Sequence, residues 1–126
     1  MRWKQARFLL TYWVPVFLYM GVIFYFSSKT GEEVSFVTIP DYFSHGLEYM
    51  GLSYLLFRAL HNTAPDLPTG KIAAWAVAIS IFYGITDEIH QYFVPGRTSA
   101  ISDLLADAVG AVSAQVLRLY LFKVKR

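Results

Sequence analysis

Most of the side chains able to do chemistry in this 126-residue chain fall in three short stretches: Asp41, His45, Glu48 and Tyr49; Asp87, Glu88, His90 and Gln91; and Arg97, Asp103 and Asp107. Carboxylates beside an imidazole can move protons, and carboxylates with a histidine can hold a divalent cation that activates water. Cysteine is absent, which removes disulfide, thiolate-metal and cysteine-nucleophile chemistry together. At 3.6 residues per turn, Asp41, His45, Glu48 and Tyr49 share one helix face. Gly84, Asp87, Glu88 and Gln91 share a second face, and Asp103, Asp107, Gly110 and Ala114 a third.

The segments that carry these stripes are long and apolar. Phe8 to Ser27 holds no formal charge, and at about 1.5 Å per residue it spans one hydrocarbon core. Three further spans are expected at about 42–60, 72–94 and 103–122, giving an all-α integral membrane protein built as a bundle of about four transmembrane helices. Residues 1–126 are expected to form a single domain, since four helices leave no room for a second. Arg2, Lys4 and Arg7 resemble the basic flank of a signal peptide, but the run after them is too long and no small-residue cleavage pattern follows. Ser28 to Pro40 and Val94 to Ser102, the latter with Pro95-Gly96, read as loops.

Composition agrees with a membrane setting. Hydrophobic residues make up 56% of the chain and charged residues only 16%, and mean hydropathy is +0.41. A net charge of +2 gives no ground for a nucleic-acid partner. With the N-terminus inside, Arg2, Lys4, Arg7, Arg58, Lys71, Arg118, Lys123, Lys125 and Arg126 flank the cytoplasmic side, against Lys29 and Arg97 outside. Both termini are therefore expected in the cytoplasm, with the three polar stripes in or near the outer leaflet.

An ionisable group facing lipid costs about 2.5 to 3.5 kcal/mol on insertion scales, so the stripes should face one another across a shared cavity. Six carboxylates (Asp41, Glu48, Asp87, Glu88, Asp103 and Asp107) meet only Arg97, His45 and His90 there. Shared protons or a divalent metal must supply the balance, with His45, Glu88, Asp103 and Asp107 as the metal ligands to test. Plainer roles compete. Asp41 and Asp103 stand where helix N-caps belong, His90 suits packing, and the interface is a plainer place open to one of the adjacent Asp87 and Glu88. Glu32 and Glu33 read as solvated, Gly110 and Ala114 as close helix packing, and the aromatic first span as lipid-facing bulk. No polar residue is expected to continue the path into the inner leaflet of the last three spans.

Two stretches, DYFSHGLEYMGLSYLL from Asp41 and DEIHQYFVPGRTSAISDLLADAVGA from Asp87, resemble the signatures of the VanZ-like family of small bacterial membrane proteins. Asp41, His45 and Tyr49 match the first, and Glu88, Gln91, Pro95, Gly96, Arg97 and Asp103 match the second. The chain departs from the family pattern at Tyr42, where members often carry Lys, and at Asp107, where they tend to carry Asn. Both departures make the site more acidic. The resemblance implies a bacterial cytoplasmic-membrane protein, and the founding member is associated with resistance to the glycopeptide teicoplanin.

Three functions remain open on this reading. In the first, the outer-leaflet site binds or modifies an amphiphilic cell-envelope molecule, a membrane lipid or lipid-linked precursor. Asp41, His45, Glu88 and Asp103 then supply acid-base or metal-ligand chemistry, Gln91, Tyr49, Asp107 and Glu48 line the site, and Arg97 meets an anionic headgroup. In the second, the polar network only fixes helix packing in a structural or interaction protein. In the third, the carboxylates and histidine serve proton-coupled transport, which in so small a chain would require an oligomer.

Overall fold

The computed structural model describes residues 1–124, which are helical in all their regular structure. Four long helices are joined by loops, with one short helix in the first loop. Helix α1 runs over Arg2–Ser27, α2 over Gly31–Val34, α3 over Asp41–Thr63, α4 over Thr69–Tyr92 and α5 over Ile101–Val124. Lys125 and Arg126, counted above among the inner basic residues, lie outside the described residues.

Helices α1, α4 and the Ile101–Phe122 part of α5 are long and apolar enough to cross a membrane. The second expected span, α3, does not meet that standard by composition. It carries Asp41, Ser44, His45, Glu48, Ser53, Arg58, His61 and Asn62 along its 23 residues. The physical reason lies in its position: α3 packs against α1, α4 and α5, so His45 and Ser53 are buried in protein, while Asp41, His61 and Asn62 are exposed at its two ends.

Helix α1 begins earlier than its charge-free run because Arg2, Lys4, Gln5 and Arg7 are good helix formers outside the apolar stretch. It widens into a π-helical turn over Leu9–Trp13, immediately before Pro15. Proline brings no N–H and its ring crowds the carbonyl four residues back, here that of Thr11. Arg58 of α3 supplies the missing donor, its Nη2 bonding the Thr11 carbonyl. Beyond this point α1 is apolar all round and mostly exposed, with Phe17, Leu18, Val22 and Phe24 on the outside, as lipid-facing bulk requires.

The core is formed where Val16 and Ile23 of α1 meet Tyr49, Leu52, Leu56, Phe57 and Ala59 of α3, and Ile72 and Ala76 of α4. Helices α3 and α5 come closer still. A Cβ on Gly110 would collide with the Gly46 carbonyl, so the two backbones touch and Gly110 serves close packing as its sequence suggested. Helix α4 stops at Tyr92, ahead of Val94-Pro95, because the residue before a proline avoids the α region.

The two loops beside the polar stripes are fastened together. Thr30 and Glu33 form a reciprocal capping box at the start of α2, with Glu33 also 3.7 Å from Lys29. The Thr30 amide and hydroxyl hold the Glu33 carboxyl below the usual carboxylate range. The Gly31 amide donates to the Pro95 carbonyl at 3.1 Å, and Gly96 takes the turn with a φ of +73° that a side chain would resist. Any Cβ on Gly31 would strike Gly96, so both glycines are required by this contact.

Candidate functional site

The stripes of α3, α4 and α5 converge. His45 Nδ1 and Asp107 Oδ1 are hydrogen-bonded at 2.9 Å, and Nδ1 lies 3.9 Å from Glu88 Oε1, joining three helices through one imidazole. Tyr49, one turn below, stacks parallel to His45 at a ring separation of 6.5 Å and is completely buried. Gly84 makes room for the arrangement: a Cβ there would sit 2.7 Å from Asp107 Oδ2. His45 is also shared with a second group, since ligand atoms of Asp41, His45 and Asp103 lie within 4.8 Å of one another, as do those of His45, Glu88 and Asp107.

Glu88 is anchored by residues that the sequence reading passed over. Its Oε2 accepts from the Ser99 hydroxyl at 2.9 Å and the Ala100 amide at 3.1 Å. Ala100 immediately precedes α5, so the carboxylate of one helix caps the start of another and meets the positive end of its dipole. Capping, the plainer role open to Asp41 and Asp103, is not what they do. Pro40 holds the cap position of α3 and no side chain caps it, while Asp103 is the third residue of α5 and is buried.

Asp87 and Glu88 are both buried, so neither takes the plainer role of turning to the interface. Successive residues on a helix point about 100° apart, and α4 has interior on both sides of that angle. Asp87 joins Gln91 on the wall of a cavity of about 450 Å³, whereas Glu88 turns toward Ser99. His90 behaves as a packing residue: it stacks on Phe24 at 4.6 Å and its Nε2 meets Ser28 Oγ at 3.0 Å.

The cavity has two characters. Asp41, Ser44, His45, Glu48, Asp87, Gln91 and Arg97 form its polar wall. Ile23 and Phe26 of α1 with Val34, Val37 and Ile39 of the loop form an apolar one. Arg97 is less free than a headgroup ligand would be: its Nη1 donates to the Phe26 and Lys29 carbonyls, each at 3.3 Å, closing the C-terminal end of α1. Its Nη2 stands 3.9 Å from the exposed Asp41 carboxylate and keeps donor capacity toward the cavity. Six buried atoms around the site (Ser27 Oγ, Tyr49 Oη, Asp87 Oδ2, Glu88 Oε1, Gln91 Oε1 and Asp107 Oδ2) make no hydrogen bond among the described residues.

A second polar line lies farther along the bundle from the cavity, where the sequence predicts no polar residue to continue the path. The Ser53 hydroxyl donates to the Ala111 carbonyl, Gln115 Nε2 donates to Ser53 Oγ at 2.8 Å and to its carbonyl, and Arg118 Nε donates to Gln115 Oε1. Arg118 is buried, with its guanidinium 3.9 Å over the Phe57 ring. The signal was present in the sequence, because Ala114 to Arg118 extends the α5 stripe by one more turn. Fully buried Tyr49 and Leu52 lie between this line and the cavity.

Among protein-family models, the one described as VanZ/LLP1 matches residues 12–122, a span that takes in every residue of the site. No curated protein and no solved structure matches the chain. With the matched span covering nearly the whole sequence and three helices fit to cross a bilayer, the chain belongs to the VanZ/LLP1 family and is a membrane protein of that family.

Proposed function

We propose that the cavity receives the polar head of an amphiphilic cell-envelope molecule, such as a lipid-linked sugar precursor, at the outer leaflet of the bacterial cytoplasmic membrane. The chain would form one domain of four transmembrane helices with both termini cytoplasmic, the orientation that nine inner against two outer basic residues favours. The observation that carries the reading is the cavity's division into a carboxylate-rich wall and an apolar wall. Carboxylates and Gln91 accept hydrogen bonds from hydroxyls or amines, Arg97 Nη2 faces the same space for a phosphate, and Ile23, Phe26, Val37 and Ile39 suit the start of an acyl or prenyl chain.

The purely structural reading has one observation in its favour, the His45–Asp107 bond that ties α3 to α5. The transport reading meets an obstacle in fully buried Tyr49 and Leu52, which stand on α3 between Glu48 of the cavity and Ser53 of the second polar line. The deciding experiment uses the full chain in lipid nanodiscs with a labelled polyprenyl-phosphate-linked sugar. Saturable binding that Asp87→Asn and Arg97→Gln weaken, with unfolding temperatures kept, supports the proposal. Absence of saturable binding by the wild type would overturn it, and loss of stability in step with any loss of binding would favour the structural role.

A further inference from the structure

We infer that His45, Glu88 and Asp107 form a binding site for one divalent transition cation of the zinc class, an inference that goes beyond the headgroup reading and does not depend on it. The three ligands come from three helices, α3, α4 and α5, and all three are buried. Their ligand atoms are already close. Two donors bound to one Zn²⁺ at about 2.0 to 2.2 Å stand roughly 2.9 to 3.5 Å apart at right or tetrahedral angles. His45 Nδ1 lies 2.9 Å from Asp107 Oδ1 and 3.9 Å from Glu88 Oε1, and the three ligand atoms all lie within 4.8 Å of one another.

Proximity of acids would not carry the inference alone. The second observation is that Glu88 Oε1 and Asp107 Oδ2 are buried without any hydrogen-bond partner, on side chains whose exposure is 9% and 0%. Native proteins rarely leave a buried carboxylate oxygen unmatched. For Glu88 the contrast within one carboxyl group is informative. Oε2 is held by Ser99 and Ala100, which fixes the group and leaves Oε1 directed at His45, as outer partners orient metal ligands elsewhere.

Charge and chemistry then agree. Two carboxylates carry two negative charges in a region where a lone ion is costly, and one divalent cation cancels both. With Nδ1 as ligand, the imidazole keeps its single proton on Nε2 and remains neutral. One nitrogen and two oxygens suit zinc better than the all-oxygen shells of calcium or magnesium, and three protein ligands leave a fourth position open. The neighbouring group of Asp41, His45 and Asp103 is the weaker choice, since Asp41 is exposed and faces Arg97.

The test uses the full chain purified in detergent, stripped with a chelator and titrated with Zn²⁺ alone. The expected result is one Zn²⁺ per chain by elemental analysis after gel filtration, with a rise of several degrees in unfolding temperature. Glu88→Gln and Asp107→Asn should each lose the stoichiometric metal, while Asp41→Asn keeps it. Co²⁺ in place of zinc should give the visible absorption of an N/O-ligated ion in the wild type and lose it in His45→Gln. A wild type that retains no metal and shows no thermal shift would overturn the inference, whatever the variants do. So would metal that depends on Asp41 and not on Glu88. Neither result bears on nanodisc binding of the lipid-linked sugar, so the two proposals fail separately.

Discussion

His45 of α3 and Asp107 of α5 share an Nδ1–Oδ1 hydrogen bond of 2.9 Å in a buried setting, 62 positions apart in the chain. Removing one partner of such a pair strands the other, whereas removing both and filling the space with apolar atoms relieves most of the penalty. Asp107→Leu and His45→Phe should each lower stability by about 1 to 3 kcal/mol, and the double variant should cost less than their sum by at least about 0.5 kcal/mol. Unfolding the four proteins in mixed micelles measures the cycle. Simple additivity would mean that the two side chains do not interact in the membrane.

The sequence exposes some of this architecture and conceals the rest for identifiable reasons. Helix α1 is legible because Phe8 to Ser27 is charge-free, and the loops because Pro40 and Pro95-Gly96 interrupt helical patterns. Helical periodicity also places His45, Glu88 and Asp107 on facing stripes. What periodicity cannot give is the partner across space. Ser99 is an ordinary loop serine until Glu88 reaches it, and Val37 and Ile39 become cavity wall only because Gly31 is tied to Pro95. Local rules misled at Asp41, whose cap position is taken by Pro40, and at Arg118, which reads as a basic flank but packs under Phe57.

The contact between Gly46 and Gly110 separates two effects of glycine. Gly110→Ala places a methyl group against the Gly46 carbonyl, so the helices must part, at a cost of about 1 to 3 kcal/mol. Gly21→Ala, in the exposed part of α1, meets nothing within 4 Å and should stabilise the chain by about 0.5 to 1 kcal/mol through helix propensity alone. Opposite signs in a thermal-unfolding comparison are the expected outcome. A neutral Gly110→Ala would show that α3 and α5 do not approach as described.

Gln115 stands at the centre of the second polar line, giving two hydrogen bonds to Ser53 and accepting one from Arg118. Gln115→Leu removes all three and leaves the Ser53 carbonyl and the Arg118 Nε short of their partners. A loss of about 1 to 3 kcal/mol follows from the stranded groups. Gln115→Glu keeps an acceptor for Arg118 but gives up the donors to Ser53, so it should fall between wild type and Gln115→Leu. Equal stability of Gln115→Leu and wild type would reduce the line to an incidental contact.

The last relationship joins a proline to an arginine on another helix. Pro15 deprives the Thr11 carbonyl of its helical donor, and Arg58 Nη2 takes the vacancy. Arg58→Met alone should therefore cost about 1 to 3 kcal/mol, since it strands that carbonyl and removes a guanidinium packed 5.5 Å from the Tyr12 ring. In a Pro15→Ala background the alanine N–H returns to Thr11, and the same Arg58→Met change should cost less by about 1 kcal/mol. The double-mutant cycle reads this coupling directly. Equal cost of Arg58→Met in both backgrounds would assign the whole contribution of Arg58 to Tyr12 and none to the carbonyl that Pro15 leaves without its donor.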